Sequence, residues 1–329
     1  MSVLVTGGAG YIGSHMVLRL LEEGETVVVC DDLSRGDRAL VPEGATFIEQ
    51  DVGDTAAMTR IMKEHGVEAV IHFAGYIIVP ESVADPALYY RRNTVTSLRL
   101  VEACIAAGVD KFIFSSTAAV YGDGTGEPAR EQDVTAPISP YGTSKLMTEQ
   151  MLQDIGAASG MRSVCLRYFN VAGADEKMRS GQSSPNATHL IKVLSQVVTG
   201  MRDQMTVFGT DYPTPDGTCV RDYIHVTDLV DAHYLALAHL RGRGASAIYN
   251  CGYGRGASVL EVIKAMETAT NARLPIQMGP RRDGDPATLV ADSAAIRRDL
   301  GWTPKLDDLG LIVRTALQWE RGLADRADR

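Results

Sequence analysis

The stretch Ser2-Val3-Leu4-Val5-Thr6-Gly7-Gly8-Ala9-Gly10-Tyr11-Ile12-Gly13 decides the fold. Its first five residues read as a buried strand. Glycines at 7, 10 and 13 then open a periodic run over residues 11–23 that reads as a helix. Each spacing has a physical reason: a tight turn, a close backbone approach to a pyrophosphate, and close packing of helix on strand. The helix start offers free N–H groups and a positive dipole end to the phosphates. A glycine triplet alone also fits a flexible turn.

The next strand favours the pyrophosphate reading. Val27-Val28-Val29-Cys30-Asp31 is a second apolar run, ending in an acid. A carboxylate there accepts hydrogen bonds from ribose hydroxyls and repels an added 2′-phosphate, which favours NAD over NADP. Asp32, Leu33 and Ser34 continue this edge. Arg35 and Arg38 lie close by, either as a solvated loop or softening that preference. Asp51-Val52, after a third strand, either meets the adenine or caps the next helix.

Further strands are expected at residues 45–49, 69–73, 111–115 and 163–167, with helices at 54–65, 86–107 and 141–159. Alternation of this kind implies βαβ units and a parallel sheet. The strand runs are continuously apolar, as a sheet covered on both faces requires. The pattern loosens after residue 173, where segments 175–186, 209–217 and 279–286 read as loops. The expected fold is α/β: a Rossmann-type doubly wound parallel sheet with a smaller, interleaved α+β substrate-binding domain. Residues 1–172 form the NAD-binding domain, with a return segment near 222–241, and residues 173–329 mainly bind substrate.

Composition narrows the class. The 329 residues are 45% hydrophobic and 22% charged, with net charge -9 and no basic stripe, which argues against nucleic acid as a partner. Five scattered cysteines form no framework, there is no leader-like start, and no apolar run reaches the roughly 18 residues of a membrane span. A cytoplasmic protein is expected. The seven histidines show no metal-ligand spacing, so no metal is expected.

Tyr141 and Lys145 stand four apart and share one helix face. In isolation such a pair reads as helix surface. Converging in a crevice, the ammonium would stabilise phenolate and lower the tyrosine pKa toward neutral, making a general base. Upstream, Ser115-Ser116-Thr117 ends the fifth strand, where open α/β sheets bind ligands, and Thr117 can bridge a substrate oxygen and the tyrosine.

The glycine loop, this hydroxyl cluster and Tyr141-x-x-x-Lys145 together resemble the extended short-chain dehydrogenase/reductase family. Further segments resemble its UDP-galactose 4-epimerase branch: residues 10–15 and 114–122, His72-Phe73-Ala74-Gly75, Arg167-Tyr168-Phe169-Asn170, Val220-Arg221-Asp222-Tyr223-Ile224-His225-Val226, and Pro280-Arg281-Arg282-Asp283-Gly284-Asp285. The resemblance implies reversible C4 epimerisation of a UDP-hexose through a 4-keto intermediate, with transient hydride transfer to bound NAD. It places Phe73, Ala74, Gly75, Asn93, Ser115 and Phe169 along the cofactor with Tyr141 and Lys145. It assigns Asn170, Leu190, Phe208, Arg221, Arg282 and Asp285 to the UDP portion, and Leu289 to the sugar end. Two guanidiniums suit a diphosphate, although pairing with Asp222 or Asp283 is the structural alternative. The family's dimers imply a homodimer through residues 86–107 and 141–159.

Departures refine the expectation. Ala118-Ala119 stand where 4,6-dehydratases carry an Asp-Glu pair, and alanine moves no protons. Ile77 replaces a lysine that contacts the cofactor in typical epimerases, which bears on NAD retention. Leu289 stands where relatives carry tyrosine or a smaller residue, so another UDP-sugar (an N-acetylhexosamine, a pentose or a uronate) is the second reading. A non-catalytic NAD-binding sensor is the third.

Overall fold

The computed structural model describes residues 1–184, 188–282 and 285–327. Along the chain, β1 (Ser2–Thr6) leads through α1 (Tyr11–Glu22) to β2 (Thr26–Asp31), β3 (Thr46–Glu49), α2 (Thr55–Glu64) and β4 (Val67–His72). Then α3 (Val79–Ala84), α4 (Pro86–Tyr89), a π-helical turn (Tyr90–Val95) and α5 (Thr96–Ala107) precede β5 (Lys111–Thr117). After α6 (Pro140–Ser159) come β6 (Arg162–Tyr168), β7 (Asn170–Ala172), α7 (Leu190–Val198) and β8 (Met205–Phe208). Next are β9 (Val220–Arg221), β10 (Tyr223–His225), α8 (Val226–Arg241), β11 (Ala247–Cys251), β12 (Ala257–Ser258) and α9 (Val259–Thr270). The chain ends with β13 (Ile276–Gly279), β14 (Thr288–Leu289), α10 (Ala294–Leu300) and α11 (Leu309–Ala327).

Seven strands form one parallel sheet in the order β11-β6-β5-β4-β1-β2-β3. This is the doubly wound Rossmann-type sheet, extended by β11. Its strands are apolar throughout because both faces are covered: Val3 and Val5 pack into a core with Met16 and Leu20 of α1 and Leu229 and Leu240 of α8. Leu4 between them packs the other way, against Met58, Leu100 and Leu152. After α8, which packs into this core, β11 adds the seventh strand.

Local chemistry sets the helix ends. Ser139 accepts from Gly142 N at 3.2 Å and Pro140 fixes the first turn of α6, while Gly160 at φ +81° stops it. The expected helix over 86–107 is broken by the π turn, which carries Asn93. The rest of the chain builds small sheets over the carboxyl ends of the main strands: parallel pairs β7–β10 and β8–β13, and β12-β9-β14. Among the described residues, no helix is long and apolar enough to cross a membrane. Pro185, Asn186, Asp283 and Gly284, which fall in expected loops, and Ala187 lie outside the described residues.

Candidate active site

β1 lies between β4 and β2, the point where the winding of the sheet reverses, so a crevice opens at its carboxyl end. Gly7 there has φ +69°, and a Cβ on it would stand 2.6 Å from Ala74 N. A Cβ on Gly13 would stand 2.1 Å from Gly7 O. Gly10 starts α1 without a side-chain cap, leaving the first-turn amides to another partner. Tyr11 offers only its amide, because its hydroxyl donates to Gly173 O at 2.6 Å; Ile12 packs into the core beneath.

Asp31 accepts from Ala9 N at 3.0 Å and Leu33 N at 2.9 Å, and burial raises its pKa against the pull of those amides. Ser34 N and Oγ both donate to Asp32, at 2.9 and 2.6 Å. Asp51 does not cap the next helix. Asp54 caps α2 by accepting from Ala57 N at 3.0 Å, while Asp51 accepts from Gly53 N and faces Arg92 at 3.4 Å. Val52 is buried. Arg35 pairs with Glu81 and Arg38 lies over Phe47, so both have partners within the fold. A cradle that two Cβ atoms would fill, facing an acid at the end of β2, fits a dinucleotide with an unmodified ribose.

The opposite wall follows β4. Ser97 donates to Asn93 O at 2.6 Å, so the 2.9 Å contact to His72 Nε2 must be donated by the imidazole, and His72 Nδ1 accepts from Thr6 at 2.7 Å. Burial lowers His72 to about 3, which keeps it neutral. Asn93 accepts from Tyr76 N at 2.7 Å and donates to Tyr76 O and Ser144 Oγ, each at 3.0 Å. Its amide therefore shapes the wall from Ala74 and Gly75 onward rather than reaching outward. Phe73 packs on His233, 4.8 Å between ring centres. Phe169 is buried beside Ala118 and Tyr121.

Thr117, at the end of β5, hydrogen-bonds the Tyr141 hydroxyl at the start of α6. Lys145 Nζ, one turn on, donates to Ser115 O at 3.0 Å and sits 4.9 Å from the centre of the Phe114 ring. Ser115 Oγ shares a hydrogen bond with Tyr168. The three expected residues are thus brought to one place, but the expected acidification is corrected. Burial raises the Tyr141 pKa and outweighs the lowering effect of Thr117. Burial also depresses Lys145 itself, to about 8. Among the described residues Lys145 is the one buried cation with no carboxylate partner; Arg167, Lys192 and Arg221 each have one.

Sequence reasoning missed Glu149, which continues the four-residue spacing from Tyr141 and Lys145. It receives Arg167 through two nitrogens, at 2.6 and 3.0 Å, and Ser116. Arg167 goes on to Tyr121, which donates to Asn250 at 2.7 Å. This buried ion pair ties α6 to β5, β6 and β11 behind the reactive hydroxyls.

Above them, Asn170 pairs in register with Tyr223, and the two line a cavity with Leu190 and His189. Arg221 pairs with Asp285 rather than with Asp222. Asp222 instead accepts from Tyr253, Gly254 and Ala291 amides at 2.9, 2.9 and 3.2 Å, pinning two other segments, with burial pushing it up to about 6. Arg282 lies 3.7 Å over the Phe208 ring, and Leu289 faces Arg221 across β14–β9. Burial lowers His189, whose Nδ1 is 2.8 Å from Gln182 Nε2, and nothing marks it as a base. Asp283 lies outside the described residues. Among those residues, no cluster of His, Cys, Asp or Glu could hold a metal.

The NAD dependent epimerase/dehydratase family model matches residues 3–252. A relative described as UDP-glucose 4-epimerase from Azospirillum brasilense is 58% identical over 98% of this chain and 92% of its own. A solved UDP-glucose-4-epimerase from Stenotrophomonas maltophila, with bound NAD and formylated UDP-arabinopyranose, superposes with TM-score 0.95 at 41% identity, covering 99% of both chains. The Brucella ovis UDP-glucose 4-epimerase in complex with NAD gives TM-score 0.94 at 44% identity over 96% of this chain and 97% of that one.

Proposed function

From the premise that this chain belongs to the NAD dependent epimerase/dehydratase family, we propose that it interconverts UDP-glucose and UDP-galactose by inverting C4. The observation that carries the proposal is the buried Thr117–Tyr141–Lys145 group at the mouth of a dinucleotide crevice. Simple binding has no use for an unpaired ammonium beside a buried phenol, which counts against a sensor.

Bound NAD supplies a hydride acceptor that returns what it takes. The chain's own groups do the rest. Tyr141 accepts the proton of the sugar C4 hydroxyl and gives it back to the oxygen of the 4-ketose once the sugar has turned to present the opposite face of C4 for return of the hydride. Thr117 donates to the Tyr141 oxygen and so favours its anionic form. Lys145, fixed by Ser115 O, adds positive charge to the same crevice. Burial raises Tyr141, and the positive charge that oxidised NAD would bring when bound would act with Lys145 to lower it. Arg221 and Arg282 take the diphosphate, which requires Arg221 to share or release Asp285. With the nucleotide held there, the hexose can turn between the two half-reactions.

The five cysteines are free and buried, which supports a reducing, cytoplasmic setting. Exposed Val95, Ile105 and Met147 on the π turn, α5 and α6 support a homodimer through these helices. Purified protein incubated with UDP-galactose should yield UDP-glucose. Failure to convert UDP-galactose refutes the proposal, while a parallel panel of UDP-GalNAc, UDP-xylose and UDP-glucuronate tests the wider range that Leu289 admits.

A further inference from the structure

We infer that Arg35, Tyr76 and Glu81 form a strap across the cofactor crevice that sets how fast NAD enters and leaves. The inference rests on the NAD reading of the glycine loop. Arg35 follows β2, whereas Tyr76 and Glu81 follow β4, and β1 lies between those strands. Any contact between the two segments therefore crosses about 10 Å of sheet, over the carboxyl end of β1 where the glycine loop sits. Arg35 makes that crossing twice: it pairs with Glu81 at 2.6 Å and lies over the Tyr76 ring at 4.6 Å.

Both ends of the strap are anchored. On the β2 side, Asp37 N donates to Ala9 O at 2.9 Å, holding this segment against the glycine loop. On the β4 side, Asn93 clamps Tyr76 through both its N–H and its carbonyl, and Tyr89 reaches Glu81 Oε2 at 2.9 Å. A second guanidinium, Arg92, lies 5.9 Å from the Tyr76 ring and faces Asp32 at 3.8 Å and Asp51 at 3.4 Å, repeating the crossing farther out. Tyr76 also packs edge-on against Tyr89, and Tyr89 against Tyr141, so the strap rests on the aromatic column that ends at the proposed base.

The arrangement answers what Ile77 leaves open. Ile77 is half exposed and offers no charge, so retention passes from a direct lysine contact to closure by neighbours. An exposed ion pair and a cation–π contact are each weak and open readily, which suits a strap that must part for exchange. Arg35 is 47% exposed and Glu81 31%, so salt reaches both.

The test measures NAD exchange on the purified holoenzyme, with released NAD trapped by excess of an auxiliary NAD-reducing dehydrogenase. Association is measured separately on protein freed of NAD. Arg35→Gln and Glu81→Gln should each raise the release rate roughly tenfold. The association rate should rise too, so that Kd changes less than either rate. Glu81→Gln keeps an acceptor for Tyr89, and the double variant should be no faster than Arg35→Gln alone. In the wild type, release should quicken with ionic strength, and in Arg35→Gln it should not. Wild-type release from either variant, additive effects, or faster release with unchanged association would overturn the strap; the last outcome would mean direct cofactor contacts instead. A protein that binds no NAD would overturn the cofactor reading beneath it.

Discussion

Replacing Lys145 with methionine should make the protein more stable and nearly inactive. The ammonium is 3% exposed with no carboxylate beside it among the described residues. Its drop from 10.5 to about 8 on burial corresponds to about 3.4 kcal/mol of destabilisation at neutral pH. Methionine has nearly the same length and no charge, and it forfeits the hydrogen bond to Ser115 O, worth about 1 kcal/mol. The net expectation is a gain of about 2 kcal/mol. The pH dependence has a definite sign. A lysine whose folded-state pKa is lowered imposes its full penalty below about pH 8, and the penalty fades as pH rises from 8 to 10.5. The advantage of the variant should therefore be greatest at pH 7 and should shrink toward pH 10. Urea unfolding of NAD-free protein at several pH values measures it, since bound NAD would stabilise the two forms unequally. Loss of the positive charge in the crevice should lower kcat about 100-fold or more. A variant less stable than wild type at pH 7, or a gap that does not shrink with pH, would refute the idea of a lysine held at the expense of stability.

Tyr141→Phe should lower kcat by roughly 10²- to 10⁴-fold, the usual worth of a positioned proton-transfer group, while UDP affinity measured by calorimetry stays within about twofold. Gly13→Ala places a Cβ 2.1 Å from Gly7 O and must push α1 off the glycine loop; NAD affinity should fall at least about tenfold in fluorescence titration, with the circular dichroism spectrum retained. Acid should unfold the protein early. His15, His225 and His233 are held neutral by burial at about 4, and His72 at about 3. Their stabilisation is complete above the unfolded value near 6.5 and is lost as pH falls through that value toward 4. From pH 7 to pH 5 the loss is about 1.8 kcal/mol each and roughly 7 kcal/mol together, comparable with a typical total stability. An unchanged urea midpoint between those two pH values would contradict it.

The sequence carried the Rossmann half because its signals are local and mutually consistent. A strand runs into Gly7, Gly10 and Gly13, a second strand ends in Asp31, and continuous apolar runs match a sheet buried on both faces. Long-range pairing was less legible. β11 contributes only Ala247–Cys251, too short to announce a seventh strand even with a return of the chain expected just before it. The π turn at 90–95 was hidden inside an otherwise helical pattern. At the site, four-residue spacing revealed Tyr141 and Lys145 but not the sign of the tyrosine shift, because desolvation depends on what packs above it. Partners such as Asp285 for Arg221, or Glu81 for Arg35, come from segments far apart in the chain, and spacing says nothing about them.

The most direct test of a hydrogen that leaves C4 and returns to it uses UDP-galactose deuterated at C4, converted in ordinary water. The account predicts UDP-glucose that keeps the deuterium at C4 without loss to solvent. UDP-glucose carrying solvent hydrogen at C4 would contradict it.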